Sequence, residues 1–230
     1  MEDRASAALD ARGFRGRRLD APFPVWLVAA DARPGEALLD GLGAAEHERA
    51  DRYARQSLRD RYLTAHCALR TVVEAASGIP PALQTYLPGA YGKPLLQEAP
   101  ELHCSISYGG QFALVALAMG VEIGVDLEVV RPIEDTVQLA AMYYTRDEIA
   151  QLARRSAGEA DHAFLTVWVR KEACSKALGK GLSIPPASFE CGVGCGVRDV
   201  LIENEIVESN VLDPKGGLLA SWAWKGRIRK

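Results

Sequence analysis

The chain has 230 residues, of which 48% are hydrophobic and 25% charged, and its formal net charge is -3. This length can bury a sizeable core, either as one domain or as two compact halves. The small net charge gives no global attraction to nucleic acid or anionic membrane, and no apolar run could span a bilayer. Residues 1–20 lack the apolar centre of a signal peptide, so we expect a solvated N-terminal tail.

The cysteines are odd in number and irregularly spaced: Cys67, Cys104, Cys174, Cys191 and Cys195. This pattern makes no disulfide framework or metal knuckle, and it predicts reduced, mostly buried thiols in a cytoplasmic protein. Cys174 lies close to Glu172, but no histidine has a sequence cue that pairs it with this thiol. We therefore discount nucleophilic cysteine chemistry.

In the first half, the pattern predicts a strand, a long helical stretch, a basic turn and a hairpin. These cover residues 24–29, about 44–76, 88–94 and 102–118, with the hairpin turn at Tyr108-Gly109-Gly110. In the second half it predicts a strand, two helices and three strands. These cover residues 121–129, 145–155, about 162–178, and then 188–193, 200–207 and 218–224.

Long helices combined with antiparallel-looking strands in each half predict an α+β fold. After the tail, we expect two similarly built subdomains, residues 21–118 and 119–230. The absence of a low-complexity linker predicts a broad interface between them, and ligand sites are common along such a seam.

Four polar residues of the second half are spaced for a shared site. Asp126 and Glu128 fall on the same side of a strand, and Gly124 leaves room there for a close neighbour. Glu172 and Lys176 are four residues apart on one helix face. Three carboxylates form an oxygen-rich set suited to Mg²⁺. The alternatives are a solvated strand face and an ordinary helix-surface ion pair.

Four lysines could neutralise a pyrophosphate: Lys93, Lys171, Lys176 and Lys180. Any one of them alone is typical of a solvated surface. The Gly179-Lys180-Gly181 segment does not match a Walker loop, so the sequence gives little support to ATPase activity.

Five motifs occur in a fixed order: YGKP at 91–94, SISYGG at 105–110, GVDLE at 124–128, WVRKEACSK at 168–176 and GKGL at 179–182. This set closely resembles the 4'-phosphopantetheinyl transferases of the surfactin-synthetase-activating (Sfp) type. The resemblance runs from the first helical region to Phe189. It implies a pseudo-dimer of two α+β halves with coenzyme A in the cleft between them.

The resemblance also assigns residues to roles. It implies that Asp126, Glu128 and Glu172 are the Mg²⁺ ligands. It implies phosphate contacts for Lys93 and Lys176, and a position near the nucleotide for Ser107. Basic positions near the 3'-phosphate and adenine match Arg49, Arg52 and Arg61, and one lysine position of the family falls on Glu46.

Tyr108 is a departure from the family pattern, which has a phosphate-contacting histidine at this position. Tyrosine can donate a hydrogen bond but carries no positive charge at neutral pH. We therefore expect weaker coenzyme A binding, or compensation by a neighbouring arginine.

Glu148 has two interpretations. Thr145-Arg146-Asp147-Glu148 is a capping box, in which Glu148 satisfies backbone donors at a helix start. The family also has a glutamate here near the metal, which would place Glu148 with Glu172 and Lys176 among the catalytic residues.

The resulting hypothesis is transfer of the 4'-phosphopantetheine group of coenzyme A to a serine of an apo acyl or peptidyl carrier protein, by a Mg²⁺-dependent monomer. Two alternatives stay open: another Mg²⁺-dependent phosphate-transfer enzyme, and a non-catalytic homologue that binds coenzyme A or a carrier protein.

Overall fold

The computed structural model describes residues 2–226, without the side chains of Glu2 and Leu182. The chain divides into two compact units. The first comprises Met1–Gly89 and Pro94–Gly120, and the second comprises Ala90–Lys93 and Val121–Lys230. Both units combine helices with an antiparallel sheet, which confirms the α+β prediction.

The sheet of the first unit has the strand order β1-β2-β6-β5. Its strands are β1 (Gly16–Arg18), β2 (Val25–Ala29), β5 (Leu102–Gly109) and β6 (Phe112–Met119). A small hairpin pairs β3 (Tyr86–Pro88) with β4 (Pro94–Leu96). The helices are α1 (Glu2–Ala11), α2 (Glu36–Leu39), α3 (Ala44–Asp51) and α4 (Gln56–Ser77). The apolar face of α4 packs on β5 and β6 and forms the core of this unit.

The N-terminal region differs from the expected solvated tail. Residues 2–11 form α1, which buries Ala5 and Leu9 against α4, and β1 pairs with β2. The apolar positions at 5 and 9 lie on one helix face, a spacing that the basic composition of the segment obscured.

The sheet of the second unit has the strand order β7-β10-β9-β8. Its strands are β7 (Ile123–Val129), β8 (Arg198–Ile202), β9 (Glu205–Leu212) and β10 (Leu218–Lys225). The helices are α5 (Thr136–Tyr143), α6 (Arg146–Leu152) and α7 (Ala157–Ala177). The long helix α7 packs across β7, β9 and β10 and closes the core.

The two units share one connectivity. In each, one strand (β2 or β7) precedes the long helix (α4 or α7), and a hairpin (β5–β6 or β9–β10) follows it. The last strand of that hairpin pairs with the strand before the helix: β6 with β2, and β10 with β7. The second half therefore repeats the plan of the first.

Three predicted elements are revised. The helical stretch 44–76 is two helices, because α3 ends before residues 52–55 and α4 begins at Gln56. Residues 188–193 form no strand. The predicted strand 200–207 is a β8–β9 hairpin, whose turn at Glu203-Asn204 has positive φ at both residues. Consecutive positive φ values are typical of the two-residue turns that match strand twist.

The cysteines form no disulfide, and four of the five are buried, as predicted; Cys195 is exposed. Over the part of the chain that the structure describes, none of the helices has the length and apolarity needed to cross a bilayer.

Candidate active site

Asp126 and Glu128 project from the same side of β7, as the alternation predicted. Ile123, Val125 and Leu127 are buried among apolar side chains, whereas Glu128 is half-buried and Asp126 is 5% exposed. Strand pairing with β10 holds this register, because Asp126 lies opposite Ser221 and Glu128 opposite Leu219. The backbone of β7 therefore fixes the direction of both carboxylates.

Gly124 brings β7 and α7 into close contact. A Cβ atom at this position would lie 2.1 Å from the carbonyl oxygen of Ala173 and 2.4 Å from the amide nitrogen of Ala177. Only glycine fits between two backbones at such a distance. The contact lies beside Glu172 and Lys176, so it sets how closely these side chains approach β7.

Lys176 connects the helix to the strand. Its Nζ atom donates to Asp126 Oδ1 at 2.6 Å and to the Val125 carbonyl oxygen at 3.1 Å. The ammonium group is half-buried, and a charge-assisted hydrogen bond of this length is strong. One face of α7 therefore supplies a cation to the carboxylates of β7.

The acids also interact with one another. Burial, followed by the negative charges of Asp126 and Glu128, raises the pKa of Glu172, and the Lys176 charge partly offsets this. Burial and the Asp126 charge raise the pKa of Glu128, although Arg131, Lys176 and a hydrogen bond with Trp168 act in the opposite direction. The structure thus brings together the three carboxylates that the sequence suggested, at an electrostatic cost.

The chemistry of this group fits Mg²⁺, which takes oxygen ligands and binds through one or two carboxylates, waters and phosphates. A cation would relieve the mutual repulsion that raises the pKa values of Glu128 and Glu172. Across residues 2–226, however, no three His, Cys, Asp or Glu side chains are arranged as a metal cluster. The three-carboxylate ligand set therefore stays a prediction.

Glu148 is a structural residue. Its backbone N–H donates to Thr145 Oγ1 at 3.3 Å, and its Oε2 accepts from the Thr145 backbone N–H at 3.0 Å. Its Oε1 accepts from the backbone N–H groups of Cys191 and Gly192 at 2.7 and 3.2 Å. The side chain is 0% exposed, so the capping interpretation is confirmed and we remove Glu148 from the catalytic set.

We predicted that Lys171 could neutralise a pyrophosphate, but this lysine is not available to a phosphate. Its side chain is 1% exposed and its Nζ lies 2.9 Å from Glu148 Oε2. It also donates to the carbonyl oxygens of Pro186, at 2.8 Å, and Phe189. The pair locks α7 to α6 and to the segment that follows α7.

The two remaining lysines differ in their setting. Lys93 is largely buried, is paired with Glu122 and donates to the Ile123 carbonyl oxygen at 3.0 Å. Lys180 is exposed and pairs with Glu203. A phosphate contact by Lys93 stays a prediction, and its carboxylate partner is a competitor that the sequence did not reveal.

In the first unit, two of the three predicted nucleotide-binding arginines lie near an aromatic cluster formed by Tyr53, Tyr62, His66 and Tyr108. Arg49 is exposed and its Cζ lies 5.9 Å from the Tyr62 ring centroid. Arg61 lies 5.8 Å from the Tyr108 ring centroid and donates to the Gly110 carbonyl oxygen at 2.8 Å. An arginine therefore neighbours Tyr108, and the two expectations, weaker coenzyme A binding or compensation by this arginine, stay predictions.

Two other predicted nucleotide contacts show no such arrangement. Arg52 is exposed and follows the end of α3, and Ser107 is buried on β5 beside Tyr108. Their assigned roles stay predictions.

Sequence reasoning missed His66. Its Nε2 lies 2.9 Å from the Tyr108 hydroxyl, and its Nδ1 lies 2.8 Å from Glu46 Oε1. Glu46 in turn accepts from Arg70. His66 and Arg70 are four residues apart on one face of α4, a spacing that could have indicated a shared acidic partner.

Comparison with known proteins agrees with this geometry. Residues 122–197, which carry the acids of β7 and all of α7, match the family model described as the 4'-phosphopantetheinyl transferase superfamily. Over these residues the chain is similar to the proteins of that superfamily.

Relatives match over a longer region. A Synechocystis protein provisionally named a 4'-phosphopantetheinyl transferase is 31% identical over 163 residues, which are 69% of this chain and 65% of that protein. A 4'-phosphopantetheinyl transferase of Bacillus subtilis is 28% identical over 154 residues, and Sfp of Bacillus subtilis strain 168 is 26% identical over 154 residues, in both cases 67% of each chain. The chain thus spans about two thirds of the length of these relatives.

Proposed function

We propose that this protein transfers the 4'-phosphopantetheine group of coenzyme A to a serine hydroxyl of an apo acyl or peptidyl carrier protein. The products are holo carrier protein and adenosine 3',5'-bisphosphate. The observation that carries the proposal is the group formed by Asp126, Glu128, Glu172 and Lys176, which lies within the region that matches the superfamily. We further propose that the enzyme is of the Sfp type and requires Mg²⁺.

The carboxylates of β7 and α7 would hold the metal, which supplies charge stabilisation to a pyrophosphate when bound. Lys176 is half-buried and directed at Asp126, and in this proposal its positive charge would neutralise the negative charge that develops on the leaving phosphate. Coenzyme A is consumed in the reaction, and Mg²⁺ is the only cofactor proposed.

Glu172 is the proposed base. Its carboxylate is half-buried within the same group of acids, and a carboxylate within hydrogen-bond reach of the serine hydroxyl can take its proton. The serine oxygen attacks the β-phosphorus of the pyrophosphate and forms the new P–O bond. The bond to the bridging oxygen breaks, its electron pair leaves with adenosine 3',5'-bisphosphate, and the serine proton goes to Glu172.

An apolar surface on α5 is the proposed dock for the carrier protein. Met142 is 67% exposed and Val137 is 42% exposed, whereas Tyr144 is buried, so α5 presents part of its apolar side to solvent. Val137 and Ala141 also line a groove of about 680 Å³ between α5, α6 and the start of α7. An apolar helix of a partner laid into a groove is a recurring mode of recognition.

Intact-protein mass spectrometry of a panel of apo carrier proteins, incubated with coenzyme A and Mg²⁺, tests the function. We expect a mass gain of one phosphopantetheine group, and a rate at least about 100-fold lower for Asp126→Asn and Glu172→Gln. Chelation of the metal should have a similar effect.

The alternatives give different results. Cleavage of coenzyme A without a carrier protein would identify another phosphate-transfer enzyme. Binding of coenzyme A or a carrier protein with no mass gain across the panel would identify a non-catalytic homologue.

A further inference from the structure

The aromatic cluster of the first unit contains a chain of three hydrogen-bonded side chains. His66, on α4, lies between Glu46 on α3 and Tyr108 on β5, with contacts of 2.8 Å at Nδ1 and 2.9 Å at Nε2. The imidazole is half-buried and its ring centroid lies 4.1 Å from that of Tyr62. Packing therefore holds both ring nitrogens on their partners.

Glu46 fixes one end of this chain as a proton acceptor. Burial alone would raise the pKa of Glu46, but the hydrogen bonds and charges of His66 and Arg70 lower it to about 2. Its oxygens accept from Arg70 Nη2 at 2.5 Å and from the Gly43 backbone N–H at 2.8 Å. A carboxylate has no proton to give, so the Nδ1 atom of His66 must carry the proton of their shared hydrogen bond.

The protonation state of His66 then decides the direction of the Tyr108 hydroxyl. When His66 is neutral, Nε2 has no proton and accepts the hydroxyl proton of Tyr108. When His66 is an imidazolium, Nε2 donates to the Tyr108 oxygen, and the hydroxyl proton is released toward another acceptor. Burial raises the pKa of Tyr108, so the phenol keeps its proton in both states.

The charged and titratable groups around His66 come from three elements and one loop. They are Glu46 and Arg49 from α3, Tyr53 from the loop after α3, Arg61, Tyr62 and Arg70 from α4, and Tyr108 from β5. Arg49 and Arg61 bring two positive charges to the rings of Tyr62 and Tyr108. The positive charges of Arg49 and Arg61 favour an anionic ligand. An anion that accepts a hydrogen bond from the Tyr108 hydroxyl would in turn favour the protonated form of His66.

We propose that His66 is a positioning residue that makes Tyr108 a proton donor to an anionic oxygen of coenzyme A only when His66 is protonated. The inference rests on the proposed function, which supplies coenzyme A as the ligand. It gives a physical role to the tyrosine at position 108. The ligand would meet a Tyr108 hydroxyl whose ability to donate depends on whether His66 is neutral or charged.

Calorimetric titration of the full-length protein with coenzyme A, from about pH 6 to about pH 8, tests this inference over the range in which histidine titrates. We expect wild-type affinity to fall as pH rises. His66→Gln keeps an acceptor for the Tyr108 hydroxyl but cannot be charged. It should bind about tenfold more weakly near pH 6, the size of one hydrogen bond to a charged group, and nearly equally near pH 8.

Three comparisons make the result specific. Tyr108→Phe, which leaves His66 and Glu46 in place, should give the same loss near pH 6, and the double variant should lose no more than either single variant. His47→Gln, at an exposed histidine on α3, should behave like the wild type. Coenzyme A itself titrates in this range, and the difference between variant and wild type removes its contribution.

An unchanged affinity and pH dependence in His66→Gln would overturn the inference, as would a pH dependence in Tyr108→Phe that equals that of the wild type. Carrier-protein modification by the same variants separates the two proposals, because normal transfer with no His66 effect removes only the inference. If the wild type transfers nothing but binds coenzyme A, the affinity comparison alone decides the inference. A wild type that binds no coenzyme A overturns both proposals.

Discussion

Two glutamates of the second unit show how differently the same side chain is used. Glu148 is fully buried, and both of its oxygens are occupied by Lys171 and by backbone N–H groups. Glu172 is half-buried one residue beyond Lys171, beside two further carboxylates, and its pKa is raised. Glu148 connects α6 to α7, whereas burial and the neighbouring negative charges disfavour the ionised form of Glu172.

The difference teaches where function is to be sought in this unit. A buried carboxylate with every lone pair engaged has no capacity left for a ligand, whereas clustered carboxylates with raised pKa values gain from a cation or a proton. The Lys171–Glu148 pair and the Glu172 group are neighbours along α7. The rigid pair therefore fixes the rotation of the helix that presents Glu172.

The largest effect is expected from breaking the buried pair. Glu148→Ala leaves the Lys171 charge and three backbone N–H groups without their acceptor, so we expect a loss of about 3–5 kcal/mol in the free energy of unfolding. Urea denaturation measures it. The double variant Glu148→Leu/Lys171→Met is the control: it removes the unpaired charge and should recover part of the loss, while the backbone groups that the pair satisfied stay without partners. A loss below about 1 kcal/mol for Glu148→Ala would show that the pair is not structural.

Gly124→Ala tests the contact between β7, which carries Asp126 and Glu128, and α7, which carries Glu172. The added methyl group would meet the backbone of α7, which cannot move like a flexible side chain, so we expect at least about 1–3 kcal/mol of destabilisation. Gly158→Ala is a matched control, because a Cβ at that position meets nothing within 4 Å. Equal stability of the two variants would contradict the close approach of β7 and α7.

A smaller effect is expected at the surface of α5. Met142→Glu places a charge on an exposed apolar position, so we expect unchanged thermal stability and a several-fold higher KM for the carrier protein. KM for coenzyme A should not change. If steady-state kinetics show the same carrier-protein KM as the wild type, this surface is not the dock.

The sequence predicted the positions of the second unit's acids, although two of the strands predicted for that unit were revised. Alternation in β7 and the four-residue spacing in α7 are local patterns, and they placed Asp126, Glu128 and Glu172 correctly on their elements. The fate of Lys171 was not predictable in this way, because its burial depends on Glu148 and on carbonyl groups 15 and 18 residues away. The His66–Tyr108 contact joins residues 42 apart, and no local pattern encodes it.

The comparison between the two glutamates is tested most directly by two matched substitutions, Glu172→Gln and Glu148→Gln, each assayed for thermal stability and for carrier-protein modification. Because the folded protein raises the pKa of Glu172 above its ordinary value of 4.5, its ionised form lowers stability once the pH rises through that raised value. Glu172→Gln should therefore melt at the wild-type temperature or about 1–3 °C higher near pH 7, with no gain near pH 4, and lose transfer by about 100-fold or more.

Glu148→Gln should show the reverse, a clear loss of melting temperature with much of the transfer rate kept by the molecules that stay folded. Destabilisation by Glu172→Gln together with normal transfer would contradict the assignment of these two acids.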